Sequence, residues 1–408
     1  MKEEPEATNC DGWEIVVAKS IEEIEAVREI WERMQREELY PAPNAYIDNY
    51  LSVVNSMKDS VQPYVMIVRR NDEPKAMVIG RIGKQVIPCN VGYTSIFNIS
   101  LRCLTVVYRG ILGRPNTETC SVLIKELIRL LRRGQADVIM FNHLPVDSEI
   151  YNLARSVPSL LCRNYFPVRH LHWKSSLPDS YEEFLSSRSK NTRHNVRRYQ
   201  GRLVDKYGDR LSFKCFTEKS QIDQLFKDTV EVAEKTYQHG LGSTFVDDTV
   251  TRSIVKLFVE RHLMAGYVLY IDDKPYAFWN GIRYGKTFFT WTTGYDPAFQ
   301  TDRLGLILLV KLIEALCKNQ NVNVIDFGFG DAQYKQNFCD ISWVEATPYI
   351  FAPRLYPTLV NALRNSTMAV DAGLKYVVNK ASAVAWIKRK WRRLLQAKSP
   401  DGKCGMGG

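Results

Sequence analysis

Histidine is scarce in this chain, six among 408 residues. The one close pair, His170-x-His172, would set both rings on the same side of a strand with no third ligand nearby, so no metal centre is indicated. Nine cysteines are dispersed without a Cys-x-x-Cys pair and lie mostly within apolar segments. That pattern argues against a zinc site or a disulfide framework and suits reduced, buried thiols, none of which has an obvious activating partner. No run of about 18 apolar residues occurs, so no membrane-spanning helix is expected. The acidic start Met1-Lys2-Glu3-Glu4 lacks the basic and apolar regions of a signal peptide, which points to the cytoplasm. A Walker loop, a Rossmann fingerprint and a Ser-His-Asp order are also missing. Phosphoryl transfer on a P-loop, dinucleotide redox chemistry and triad hydrolysis therefore have no sequence support.

What the chain does contain is enough apolar residue, 45%, for two domains with well-formed cores. Its net charge of +10 is concentrated in two stretches. One runs from Arg188 through Arg193, Arg197, Arg198 and Arg202 to Lys214, and the other holds Lys388, Arg389, Lys390, Arg392 and Arg393. Both suit a negatively charged partner or a solvated helix face. A weak internal repeat outlines the architecture. Tyr64 to Arg70 and Ala76 to Ile82 flank Asp72-Glu73-Pro74-Lys75-Ala76, and Tyr267 to Ile271 and Ala277 to Tyr284 flank Asp273-Lys274-Pro275-Tyr276-Ala277. Each reads as a hairpin built on Asp-x-Pro-x-Ala. Each is followed by a strand, a helix (Thr117 to Arg133, then Arg303 to Asn319) and a short strand (Asp137 to Phe141, then Val322 to Phe327). Amphipathic helices precede them, Ile21 to Glu37 and Ile222 to Tyr237. The expected order is one α/β unit over 1–175, a basic connecting helix over 176–210 ended by Gly208, a second unit over 211–356 and a helical tail over 357–408.

The second unit carries the chemistry. A strand, Thr287 to Tyr295, runs through a turn into a helix beginning Asp302-Arg303-Leu304-Gly305, whose free N–H groups and positive dipole end suit a phosphate. The next strand leads through Asp326-Phe327-Gly328-Phe329-Gly330-Asp331 to Tyr334-Lys335. Together with Ser189-Lys190-Asn191-Thr192-Arg193, Asn195-Val196-Arg197-Arg198, Gly294-Tyr295-Asp296-Pro297 and Gly305, these residues resemble the GNAT superfamily. The likeness is closer to its CelD-like branch of acetyltransferases associated with cellulose and exopolysaccharide biosynthesis, with Fem-type peptidyltransferases as relatives. It spans roughly Arg188 to Phe338. One departure stands out, Leu304-Gly305 where the branch usually has Pro-Gly.

The resemblance implies an α/β (α+β) protein of tandem GNAT-like units, each a mixed twisted sheet flanked by helices. It implies acetyl-coenzyme A or another acyl-coenzyme A as co-substrate, with the strand ending near Tyr295 splayed from its neighbour to form a cleft. Thr301, Asp302, Arg303, Leu304, Gly305 and Leu306 would hold the pyrophosphate, and Tyr334 would protonate the departing thiolate. Asp296 and Asp331 are the candidate catalytic carboxylates near the cleft; Asp296 could accept a proton directly or through water, and is equally an ordinary turn starter. Asp326, inside an apolar strand, is expected to pair with Lys335 or an arginine of the basic helix. Arg193 and Arg197, with Lys335, are candidate acceptor contacts or parts of structural salt bridges. Trp279, Trp291 and Tyr295 form either an aromatic floor for a sugar or core packing. The expected acceptor is a sugar or an envelope or polysaccharide precursor, soluble or lipid-linked. Aminoacyl-tRNA as donor and a non-catalytic scaffold remain open beside it. Leu374 to Leu395, with Trp386 and Trp391 among basic residues, suits an anionic membrane surface, or equally an apolar stripe packed on the catalytic unit with its basic face in water.

Overall fold

The computed structural model describes residues 6–10, 12–57, 59–92, 94–236 and 244–380. Two compact units form, and they do not follow chain order. One combines the chain up to His170 with the segment from Val344, and the other is Leu171–Trp343. The return has a plain cause: the strand Tyr349–Phe351 pairs antiparallel with Val138–Phe141 and completes the first sheet.

That first sheet has seven strands, in the order Glu6–Cys10, Trp13–Ala18, Val61–Arg70, Glu73–Val91, Thr94–Leu112, Val138–Phe141 and Tyr349–Phe351. Side-chain alternation along Val61–Arg70 feeds two cores. Tyr64, Met66 and Val68 pack with Leu123 and Leu127 of the helix Thr117–Arg132. Val65 and Ile67 pack with Trp31, Tyr50 and Val54 on the opposite face. The single helix expected over Ile21 to Glu37 is two, Ile21–Ala26 and Arg28–Arg36, because the β-branched Val27 leaves helical geometry at φ −102°, ψ 8°. Its apolar side is nonetheless buried at Ile24, Val27, Trp31 and Met34.

The second unit's sheet runs Val168–Ser176, Val324–Phe329, Thr287–Tyr295, Lys274–Tyr284, Met264–Ile271 and Leu211–Phe216. The parallel neighbour pair Thr287–Tyr295 and Val324–Phe329 is joined by the helix Leu304–Cys317. This helix is apolar except at Lys311 and Glu314 and is largely buried, with Leu304, Leu308, Leu309 and Ile313 almost sealed from solvent. Beyond it lie Val196 and Leu203 of the basic helix Lys190–Tyr207, and Phe184 and Leu185 of Tyr181–Ser186. Gly208 ends the basic helix with φ 51°, as the sequence predicts.

The repeat is real in geometry. Each hairpin turns on two residues of positive φ, Asn71 and Asp72 at 54° and 62°, Asp272 and Asp273 at 50° and 59°, as a two-residue connection of primed type requires. The turn thus starts one residue before Asp-x-Pro-x-Ala, and the proline lies on the returning strand. Both hairpins carry a bulge at the same rung. Val68 faces Ala76 and Arg69 faces Pro74, leaving Lys75 extra; Leu269 faces Ala277 and Tyr270 faces Pro275, leaving Tyr276 extra. Proline, lacking an N–H, is accommodated where the ladder is already broken. The chain is a mixed α+β protein.

Candidate active site

Parallel pairing between Thr287–Tyr295 and Val324–Phe329 covers only Thr287 with Val324, Phe288 with Ile325 and Phe289 with Asp326. Beyond that rung the first strand stays with Lys274–Tyr284 as far as Tyr295 opposite Ala277. The second stays with Val168–Ser176 as far as Phe329 opposite His172. The two strands part, and the expected cleft opens between 290–295 and 327–329. Thr290 Oγ1 closes the apex by donating to the Asp326 carbonyl at 3.0 Å. A bulge leaves Trp291 extra opposite Asn280 and Gly281 and twists the first strand further.

The helix start forms one lip. Pro297–Asp302 is a short 3-10 turn, and Arg303 takes the left-handed conformation, φ 58° and ψ 35°, to admit the chain into the helix at Leu304. Thr301 and Arg303 are exposed. Asp302 is engaged: Lys206 Nζ donates to its two oxygens at 3.0 and 2.8 Å, and the Tyr207 hydroxyl donates at 2.7 Å. That ion pair neutralises the one acidic group on the turn. The Arg303 guanidinium lies over the Tyr199 ring, 5.8 Å from its centre. A hydrogen bond from Arg198, with Arg303 adding to it against a desolvation effect, holds the Tyr199 phenol below its ordinary pKa. The field here is positive. Gly305 has a steric reason beyond phosphate approach, since a Cβ there would come 3.2 Å from Tyr295 Cδ1. Leu306 is half-buried, its N–H donating to the Arg303 carbonyl at 3.0 Å.

Three rings lie together beside the cleft. Trp279 is 3% exposed and donates through Nε1 to the Gly305 carbonyl at 3.1 Å, so it belongs to the core and not to a sugar-binding floor. Its ring meets Tyr334 edge-on at 5.6 Å, and Tyr334 meets Phe327 at 6.0 Å. Tyr334 is half-buried on the helix Gln333–Phe338. Trp291 packs edge-on against Phe245 at 6.0 Å, and Tyr295 remains 38% exposed.

The other lip departs from expectation at Lys335. This side chain is buried, and Nζ donates to the carbonyls of Phe327 at 2.7 Å, Gly328 at 3.2 Å and Phe329. An ammonium so occupied shapes the cleft wall and does not stand as an acceptor contact. Burial brings its pKa down to about 8, against the pull of Cys339, Asp326 and Asp331. Asp326 pairs with His172, whose Nε2 donates to Oδ1 at 2.7 Å, and not with Lys335 or an arginine as the sequence suggests. Oδ1 also receives the Gly328 N–H at 2.8 Å. Gly328 and Gly330 have φ of 62° and 100°, values that favour glycine on the path from strand to helix.

The remaining candidates scatter. Asp296 caps the 3-10 turn, accepting from the Ala298 N–H at 2.9 Å, with Lys235 Nζ 3.7 Å away. Asp331 is exposed and accepts from Gln336 at 2.7 Å. Arg193 donates through Nη1 to the carbonyls of Ser186 and Arg188, each at 2.8 Å, closing the end of the preceding helix. Arg197 is exposed, as are Lys190, Arg198 and Arg202. Sequence reasoning missed His172, which is stacked on Trp343 at 4.3 Å and meets Phe329 edge-on at 4.7 Å. A buried carboxylate inside an apolar strand calls for a partner, and a histidine on a neighbouring strand was the available signal. Among the described residues, no group of three or more His, Cys, Asp and Glu is placed to hold a metal.

Residues 190–336 match the model of the acetyltransferase (GNAT) domain. Among solved structures, FemX is similar with a TM-score of 0.52 at 9% identity, covering 82% of this chain and 98% of that one. A tandem GNAT protein from the clavulanic acid biosynthesis pathway gives 0.47 at 12%, covering 84% and 99%. L-PGS from Bacillus licheniformis gives 0.43 at 12%, covering 81% and 99%. No curated protein matches the chain. Residues 190–336 are therefore similar to a GNAT acetyltransferase domain, and that similarity supports an enzyme of acyl transfer.

Proposed function

We propose that the chain transfers an acetyl or other acyl group from coenzyme A to an amine or hydroxyl of a sugar or of an envelope or polysaccharide precursor. The parting of the two parallel strands between the helix start at Leu304 and the Tyr334 ring carries this reading. The helix start fits the coenzyme's diphosphate: exposed Arg303, and the amides of Leu304 and Gly305. The bound coenzyme would supply the thioester. Tyr334 Oη would give its proton to the departing sulfur. Lys335 holds the carbonyls of Phe327, Gly328 and Phe329 in place along the cleft. Exposed Arg197, Arg198 and Arg202 suit carboxylate or phosphate groups on the acceptor, as on a nucleotide-linked or lipid-linked sugar. Calorimetry with acetyl-coenzyme A tests the donor, and absence of heat at millimolar ligand would remove it.

The same arginine-bearing helix supports a second reading, an aminoacyl-tRNA donor as in Fem-type transferases. Retention of tRNA that weakens steeply with salt would favour it. Acyl-coenzyme A binding without tRNA retention would decide for the first. A non-catalytic scaffold would bind neither donor.

A further inference from the structure

The helix Leu355–Lys380 is inside out. Beside buried Pro357 and Val360, its buried positions are polar: Asn361, Arg364 and Asp371 are 2%, 1% and 5% exposed. Its solvent face is apolar, with Leu355 79%, Leu359 57%, Val370 55% and Leu374 51% exposed. These four, with Ala362 and Ser366 between them, recur at three- and four-residue spacing and form one stripe free of charge. Rotation about the helix axis is barred by hydrogen bonds. Asn361 Nδ2 donates to the carbonyls of Leu161 at 2.9 Å and Arg163 at 2.8 Å. Asn365 accepts the Tyr165 N–H at 3.0 Å, and Asp371 accepts the Gly92 N–H at 2.7 Å. Arg364 lies over the Tyr349 ring, 4.4 Å from its centre. The loop that Asn361 and Asn365 grip is itself apolar and outward-facing, with Leu160 63%, Leu161 74% and Tyr165 45% exposed.

We propose that this helix face and the loop Leu160–Tyr165 dock on an anionic lipid bilayer, with the helix lying flat in the headgroup region. Three observations choose that occupant. The stripe from Leu355 to Leu374 is roughly 30 Å long, and the polar side it opposes prevents insertion across a membrane. Among the described residues no helix is long and apolar enough to span. The sequence that continues the helix is acid-free from Asp371 to Asp401 and carries eight lysines and arginines, with Trp386 and Trp391 set among five of them. Residues from 381 on, which hold most of the basic tail expected from the sequence, lie outside the described residues. An apolar stripe continued by a chain of positive charge and tryptophan matches a surface that is apolar within and negative at its rim.

The test is flotation of the full chain with vesicles of phosphatidylcholine alone and of phosphatidylcholine with phosphatidylglycerol. Binding is expected to the anionic vesicles and to fade at high salt. Leu359→Glu with Val370→Glu, both at exposed positions, should weaken it about tenfold or more while thermal melting is unchanged. Leu160→Ser with Leu161→Ser, on the loop, gives an independent pair should the first misfold. The proposal falls if the wild type ignores anionic vesicles, or if both folded pairs bind as it does. It falls equally if light scattering shows a dimer that these substitutions dissolve without any effect on lipid binding, for the stripe would then be a contact between two copies. None of these readouts depends on the acyl donor.

Discussion

Replacing Lys335 by methionine separates two opposing effects on one buried group. The ammonium satisfies three carbonyls at the cleft wall, and leaving buried acceptors unpaired costs about 1 to 3 kcal/mol each. Keeping the amine charged in the interior works against this. The pKa falls from 10.5 to about 8, chiefly through desolvation, an interval corresponding to about 3 kcal/mol. At pH 7 the three lost bonds equal or outweigh that relief, so Lys335→Met should destabilise by up to about 6 kcal/mol. The sign with pH is fixed. Between about 8 and 10.5 the unfolded chain holds the proton that the folded chain has lost, so wild-type stability gains from rising pH and the variant lacks that gain. By pH 9.5 the variant's deficit should have widened by about 2 kcal/mol, or about 4 to 8 °C in melting temperature for a unit of this size. Parallel melts of the two proteins at pH 7 and 9.5 measure it, with every other titrating group common to both. A gap that stays constant with pH would mean that Lys335 keeps its ordinary acidity and that its burial does not govern the cleft wall.

Tyr334→Phe keeps the ring against Trp279 and Phe327 and should lower turnover about 100-fold with coenzyme affinity unchanged; wild-type turnover would reduce Tyr334 to packing. Arg303→Ala, at an exposed position, should leave stability within about 0.5 kcal/mol while raising the Michaelis constant for the coenzyme, and an effect confined to the acceptor would move Arg303 to the other side of the reaction. His172→Asn takes away the Asp326 hydrogen bond and the stack on Trp343. It should cost about 1 to 3 kcal/mol in urea denaturation and shift tryptophan emission, whereas an unshifted spectrum would contradict the stacked arrangement.

Element types were legible in the sequence wherever periodicity was strong. The strand Thr287–Tyr295 has the limits expected of it, and the helix expected over Arg303 to Asn319 is Leu304–Cys317. Val324–Phe329 runs two residues later at each end than expected, because pairing with Val168–Ser176 carries the strand through Gly328, which the turn chemistry of glycine had seemed to stop. Side-chain roles were less legible. Glycine at 305 suggested room for a phosphate, and the structure adds the Tyr295 ring as a second cause. Trp279, Arg193 and Lys335 carry the right chemistry for ligand contacts, but each is already bonded to a carbonyl that only the folded chain brings near. Nothing in a local pattern reveals that Tyr349–Phe351 leaves the second unit to close the first sheet, since pairing partners so distant in sequence have no short-range signature.

The shared bulge shows how two copies of one hairpin have diverged in use. In the first unit the spare residue is Lys75, half-buried at the strand edge and bonded to its neighbour Glu73. In the second it is Tyr276, whose carbonyl accepts the Asp296 N–H at 2.8 Å and whose ring packs on Phe299 at 4.4 Å. A position that neither ladder needed has thus become, in one copy only, the anchor for the loop entering the helix at Leu304. Exchanging the two spare residues would leave both hairpins in register and the carbonyl bond to Asp296 in place, and would remove only the ring contact with Phe299, so half of that anchor belongs to the backbone and half to a side chain that pairs with nothing across its own hairpin.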